Sequence, residues 1–165
     1  MKRLLLCRHG KSSWKDLGLE DFDRPLNKRG KRDAPGMGKI LVRREIRPDL
    51  IVSSPAKRAR KTAQHLAREL EYPKKRIVYM GAIYGADPDD LLTCIHSFDD
   101  RFDQVIMVGH NPGFTLLANI LGNLSIFNVP TCGIVALDFA VAAWQDVGRK
   151  EGDLVFFDYP KMLEP

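Results

Sequence analysis

The sequence predicts an α/β fold: a three-layer α/β/α sandwich around a mostly parallel sheet with an antiparallel edge strand. Two observations lead there. From Leu4 to Gly122, short apolar runs alternate with amphipathic helical stretches, the pattern of strands joined by helical crossovers. The last two apolar runs, "CGIVALDF" and "DLVFFDY", follow one another across a polar loop containing "GRKEG", which favours antiparallel pairing.

Leu4 to Cys7 form the first strand, apolar on both faces as a buried parallel strand should be. The polar stretch "DFDRPLNKRGKRDA" leads into a helical pattern with Met37, Ile40 and Leu41 at helical spacing, although Pro35, Gly36 and Gly38 weaken its early part. "DLIVSS" is a second short strand. In "PAKRARKTAQHLARELE", Ala59, Ala63, Leu66, Ala67 and Leu70 make one apolar stripe, and Pro55 suits the first turn of that helix. "RIVYM" is a third strand. "DPDDLLTCIHSF" is a helix with acidic residues where the helix dipole favours them. "QVIMVGH" is a fourth strand, and "NPGFTLLANILG" a helix that opens on Asn-Pro and closes on Gly122.

Repeats, low-complexity tracts and linkers are absent, so residues 1–165 are read as a single domain with a sizeable core. The formal net charge of +5 favours anionic partners in general. The basic clusters at Lys28–Arg32, Arg43-Arg44, Lys57–Lys61 and Lys74–Arg76 read as solvated faces; without interleaved aromatics or a helix-turn-helix spacing, they point to no nucleic acid. The 3 cysteines form no CxxC, which indicates neither a disulfide framework nor a thiolate metal site. Apolar runs fall short of the ~20 residues of a membrane span, and the run before Cys7 falls short of a signal h-region of ~7–15 residues. The expected location is cytoplasmic, with no membrane partner.

The chemistry lies at three strand ends. The first carries Arg8-His9-Gly10, the second Ser53-Ser54-Pro55 with Arg58 one turn on, and the fourth Gly109-His110-Asn111-Pro112. Ligand sites in open parallel sheets form beyond the carboxyl ends of the strands. Arginines, histidines and helix N-termini converging there make a pocket for a compact dianion such as a phosphoryl group. A neutral imidazole at its centre can attack phosphorus and later yield the group to water, while arginines stabilise the charge of the transition state. Gly10 reads as keeping side chains away from the approach to His9.

"LCRHGKSS", "SSPAKRARKTA" and "VGHNPG" resemble the three signature segments of the histidine phosphatase superfamily. "DFDRPLNKRG", "AIYGADPDDLL" and "VPTCGIVALDF" resemble, more narrowly, the small SixA-type phosphohistidine phosphatases, and the likeness runs in family order over almost the whole chain. The resemblance implies a phosphoglycerate mutase-like fold, with His9 as the phosphorylated nucleophile. Arg8, Arg58 and His110 would complete the phosphate pocket, and no cofactor or metal is implied.

Taken singly, these arginines read as surface or ion-pairing residues and these histidines as packed, hydrogen-bonded ones. Lys11 and Ser12 are candidates for the pocket mouth. Asn111 either caps the next helix or orients His110, and Ser53 and Ser54 either cap a helix or donate to phosphate. Asp23 to Leu26 reads as fixing a loop near the site, His65 with Glu69 as a surface pair, and His96 as meeting carbonyls at its helix end.

Larger members of the superfamily carry a glutamate acid after the third strand. That region here, "YMGAIYGADPDDLL", has none, and Asp87 is the candidate general acid. The chain lacks a large insertion to cover the site, which suits a phosphorylated protein surface. The leading reading is a metal-independent phosphatase acting on phosphohistidine in a signalling or phosphotransfer protein, such as a histidine phosphotransfer domain. The alternatives are a phosphatase of small phosphate esters or phosphoserine, and a non-catalytic phosphoanion-binding protein. A cysteine-dependent phosphatase is excluded: Cys7, Cys94 and Cys132 have Ser13, Asp100 and Asp138 where its loop needs arginine.

Overall fold

The computed structural model describes residues 1–163. Six strands form one sheet: β1 (Lys2–Arg8), β2 (Leu50–Ser53), β3 (Val78–Tyr79), β4 (Gln104–Gly109), β5 (Ile134–Phe139) and β6 (Asp153–Asp158). Their order is β3-β2-β4-β1-β5-β6, with β3, β2, β4 and β1 mutually parallel and β5 antiparallel to both β1 and β6. The expected antiparallel edge is thus a pair of strands. β5 lies inside the sheet and is buried along nearly all its length, while β6 forms the edge.

Helices cover both faces. α1 (Lys28–Arg43) and α2 (Lys57–Glu69) pack on one, α3 (Pro88–His96) and α4 (Gly113–Gly122) on the other. β1 shows why its apolar run must be continuous. Leu4 and Leu6 join the core beneath α3 and α4, whereas Leu5 and Cys7 join the one beneath α1 and α2. Side chains alternate along a strand, so a strand buried on both faces has no polar positions to spare.

α1 runs through Pro35, Gly36 and Gly38 although these residues argue locally against a helix. Ala34, Met37 and Leu41 give it a buried stripe, and Asn27 caps its start by accepting from the Gly30 N–H at 2.9 Å. Gly38 is what lets α1 approach α2, because a Cβ there would lie 2.7 Å from Glu69 Cβ. Gly36 faces open space. Gly38→Ala is therefore expected to destabilise the protein by about 1–3 kcal/mol of overpacking. Gly36→Ala should instead stabilise it by about 0.5–1 kcal/mol through helix propensity. Urea midpoints of the two variants check this: equal shifts would show that helix contact plays no part.

α2 begins at Lys57 with Ala56 as its N-cap, so Pro55 precedes the helix and is not in its first turn. α3 is set by Asp87, whose carboxylate accepts from the Asp90 N–H at 2.8 Å while Asp90 accepts from the Asp87 N–H at 3.2 Å. Register brings the functional strand ends level: Arg8 pairs with Gly109, and Ser53 with Val108.

Candidate active site

The Arg8-His9 segment leaves β1 under close backbone control. The Arg8 N–H donates to Gly133 O and the His9 N–H to Gly109 O, both at 3.0 Å. Cys132, in the left-handed region at φ 62°, turns its own N–H toward the carbonyls of Arg8 (3.1 Å) and His9 (3.0 Å). The Gly10 N–H donates to Thr62 Oγ1 at 2.9 Å, and that hydroxyl donates to Arg58 O at 2.8 Å. Thr62 thus ties the turn after His9 to the helix that carries Arg58. A Cβ on Gly10 would meet Cys132 Sγ, Leu26 Cδ2 and Gly30 Cα at 3.1–3.3 Å. The glycine therefore relieves tight packing beneath the turn, on the side of Cys132, Leu26 and Gly30.

His9 is 7 % exposed. Its Nδ1 lies 2.7 Å from Gly10 O, and since a carbonyl only accepts, Nδ1 bears the proton. Nε2 keeps its lone pair, which accepts from the Arg58 Nε–H at 3.4 Å. Burial pushes the imidazole down to about 3, with His110, Arg58 and Arg8 adding to the effect against the Gly10 carbonyl. Burial is the larger cause and the neighbouring positive charges the smaller.

His110 stands with its ring centroid 5.1 Å from that of His9. Its Nε2 is 2.8 Å from Ser54 Oγ, which also accepts the Ala56 N–H at 3.2 Å, so Ser54 both shapes the start of α2 and fixes the His110 ring. Burial pushes His110 down to about 4, helped by Arg58 and opposed by Asp21. Ser53 is wholly buried and donates to Ser54 O at 2.9 Å, away from any anion. Asn111 accepts from the Thr115 N–H in the first turn of α4 at 3.2 Å and donates to Val129 O at 3.0 Å, tying that turn to the loop.

Arg8 Nη1 donates to the same Val129 carbonyl at 3.0 Å, while its buried Nε has no partner among the described residues. Burial lowers its pKa from the ordinary arginine value. Arg58, also buried, donates from Nη1 to Asp21 O at 2.6 Å and from Nη2 to Asp21 Oδ2 at 2.9 Å. Arg24 donates to Asp21 Oδ1 at 3.0 Å and to Ser12 Oγ at 2.6 Å, and stacks 3.5 Å over the Trp14 ring. Tyr84 donates to Asp21 Oδ2 at 2.7 Å. Although its partial burial works the other way, these donors hold the Asp21 carboxyl well below the usual carboxylate range.

The structure therefore brings Arg8, His9, Arg58 and His110 together. Ser12 is buried and supports Arg24, and Lys11 is exposed. Asp87 lines, with His110, Ala86, Pro88 and Leu116, a cleft of about 260 Å³, but its Oδ1 is engaged in capping α3. Clefts of about 550 and 810 Å³ at the far end of α2 contain none of the predicted site residues. His65 lines the first of these, and His96 meets Val147 O at 2.8 Å instead of its own helix carbonyls. Asp21, Tyr84 and Thr62 escaped the sequence reading. The one signal was that Asp21 and Arg24 fall in the "DFDRPL" segment.

Among the described residues, no group of three or more His, Cys, Asp or Glu is placed to hold a metal ion. The arrangement supplies three guanidinium groups, one carboxylate, and a neutral ring nitrogen whose lone pair faces Arg58. It can hold a tetrahedral oxyanion against that nitrogen.

The relatives share this scaffold. The model of the histidine phosphatase superfamily (branch 1) matches residues 4–78, which include Arg8, His9 and Arg58. A functionally uncharacterised Mycobacterium tuberculosis protein is 33 % identical over 164 residues, covering 93 % of this chain and 99 % of its own. The crystal structure of a candidate phosphohistidine phosphatase SixA from Agrobacterium tumefaciens superposes with a TM-score of 0.80 at 32 % identity, covering 96 % of this chain and 98 % of that one. The protein histidine phosphatase SixA complexed with tungstate reaches a TM-score of 0.83 at 17 % identity, over 98 % and 99 % of the two chains, a likeness of fold. Fold, signature segments and full-length similarity agree, and the chain belongs to the histidine phosphatase superfamily.

Proposed function

We propose that this protein is a phosphohistidine phosphatase that works through its own phosphohistidine at His9. The observation that carries the reading is the orientation of His9: Nδ1 is tied to Gly10 O and Nε2 presents its lone pair beside Arg58. Nε2 attacks phosphorus, the new N–P bond forms, and the bond to the leaving group breaks. Arg8 and Arg58 hold the non-bridging oxygens as charge shifts onto them. Water then attacks the phosphorus, the His9 Nε2–P bond breaks, and inorganic phosphate leaves with the water-derived oxygen.

The preference for a phosphorus–nitrogen substrate rests on the carboxylates. Asp21 is kept ionised by Arg58, Arg24 and Tyr84, so it has no proton to give near neutral pH. Asp87 is occupied as the cap of α3. An alkoxide leaving from phosphoserine is a strong base and needs an acid, whose contribution is typically about 10²–10⁴-fold. A leaving imidazole takes its proton from solvent on the ring nitrogen remote from phosphorus. Exposed Trp14 and Tyr84 beside the site, over Arg24 and against His110, suit a protein surface as the bearer of the group.

Turnover of a phosphohistidine protein and of a matched phosphoserine protein, side by side, tests the proposal. Phosphohistidine is expected to be hydrolysed about 10²-fold faster or more, with Asp87→Asn leaving that rate nearly unchanged. Equal rates, with phosphoserine activity lost in Asp87→Asn, would establish Asp87 as the acid and replace this reading by a phosphoserine or small-ester phosphatase. Anion binding without turnover of either would leave the non-catalytic reading.

A further inference from the structure

A guanidinium carries five N–H donors in one plane and offers two separate edges to an oxyanion. At Arg58 these edges are divided. Asp21 takes the outer edge with two different atoms, its main-chain carbonyl on Nη1 (2.6 Å) and its carboxylate Oδ2 on Nη2 (2.9 Å). The inner edge, which carries Nε, faces His9 Nε2 at 3.4 Å. The same carboxylate accepts from Tyr84 Oη and Arg24 Nε. Tyr84 packs edge-on against the His110 ring, 5.4 Å between centroids, and Arg24 holds Ser12 just beyond the nucleophile. Through Arg58, Tyr84 and Arg24, one side chain is therefore a single step from His9, His110 and Ser12.

We propose that Asp21 is a positioning residue for phosphoryl transfer: it clamps the outer edge of Arg58 so that the inner edge stays aimed at the phosphoryl position on His9. The clamp has two consequences of opposite sign. A fixed guanidinium needs no reorganisation as charge develops on the transferring group, which speeds the reaction. The carboxylate that fixes it is itself anionic and stands beside the pocket, so it weakens the binding of an oxyanion in the ground state. Weaker ground-state binding joined to a better-aimed donor raises turnover. The inference rests on His9 as the phosphoryl acceptor and holds for any substrate that delivers the group.

The test uses the whole protein, p-nitrophenyl phosphate for turnover and tungstate for binding by calorimetry. Asp21→Asn keeps the shape and one acceptor oxygen but removes the charge. It is expected to bind tungstate about three- to tenfold tighter while kcat falls about 10- to 100-fold. Asp21→Glu, which restores the charge, should recover part of the turnover. Asp23→Asn makes the same charge change on the same short 3-10 turn without touching Arg58, and is expected to alter neither constant more than about twofold. A merely structural role would weaken binding and turnover together, and that result, or equal tightening in Asp23→Asn, overturns the proposal. Should Asp21→Asn not fold, Tyr84→Phe removes one donor from the carboxylate, and unchanged kcat and tungstate affinity there would overturn it equally. Should the wild-type protein bind tungstate without turning over the ester, the catalytic reading fails, and binding to Asp21→Asn that is no tighter separately refutes the clamp.

Discussion

Replacing His9 with alanine is expected to cut turnover by about 10⁴-fold or more, as loss of a covalent nucleophile does. Nothing else at the site duplicates its function. His110 Nε2 is held by Ser54, and the lone pair that faces Arg58 belongs to His9 alone among the described residues. The wild-type intermediate can be caught directly. Brief exposure to labelled substrate, quenching in base and peptide mapping should place an acid-labile, alkali-stable label on the peptide containing His9. The pH profile gives a second view of the same nitrogen. Burial pushes His9 down to about 3, so the neutral, nucleophilic form persists far below the ordinary histidine range. kcat/KM should hold level between pH 7 and about pH 5, where a solvent-exposed histidine of pKa ~6.5 would already be mostly protonated. Stability behaves differently. In the unfolded chain His9 and His110 return to about 6.5, so below that pH the unfolded state binds protons that the native state does not. The stability they contribute is full above the unfolded value and is lost as pH falls toward about 3–4. Native-like unfolding behaviour of His9→Ala with wild-type turnover would exclude His9 as the nucleophile.

Arg58→Ala should lower kcat/KM by a factor of about 30 to 1000, the ~2–4 kcal/mol of a lost oxyanion donor. The variant loses the donor nearest His9 Nε2 and also leaves Asp21 beside the pocket with only Arg24 and Tyr84 to balance it. An uncompensated carboxylate there repels the incoming dianion, so KM should rise as kcat falls. Lysine at this position should restore a minor part. An ammonium is a point charge that cannot hold Asp21 through two nitrogens while presenting a third to His9. Steady-state kinetics on phosphohistidine and aryl phosphate, with thermal unfolding as the control for folding, decide the matter. A folded Arg58→Ala protein within threefold of wild-type kcat/KM, a difference of about 0.65 kcal/mol at RT of about 0.59 kcal/mol, would remove Arg58 from the reaction.

The strand–helix alternation, the apolar faces and the strand-end placement of Arg8, His9, Arg58 and His110 were legible in the sequence. Periodicity reports burial directly: Leu4 to Cys7 can be continuous only in a strand covered on both faces, and the stripe from Ala59 to Ala67 only on a helix with one buried side. Local signals were less dependable where packing overrode them, as in α1, which runs through Pro35, Gly36 and Gly38 because its apolar stripe and the close approach at Gly38 outweigh propensity. The polar framework was not legible. Asp21 reaches Arg58 across 37 residues, Thr62 reaches Gly10 across 52, Ser54 reaches His110 across 56, and Arg8 reaches Val129 O across 121. A serine, threonine or aspartate in a loop has a local use, as a cap or turn former, that explains it equally well in the sequence. By itself, the sequence determined which arginines and histidines gather beyond the carboxyl ends of the strands. Only the tertiary structure decided which nitrogen of His9 faces the pocket, what holds His110 and which carboxylate holds Arg58, because hydrogen bonds between distant loops depend on directions in space that no periodicity encodes.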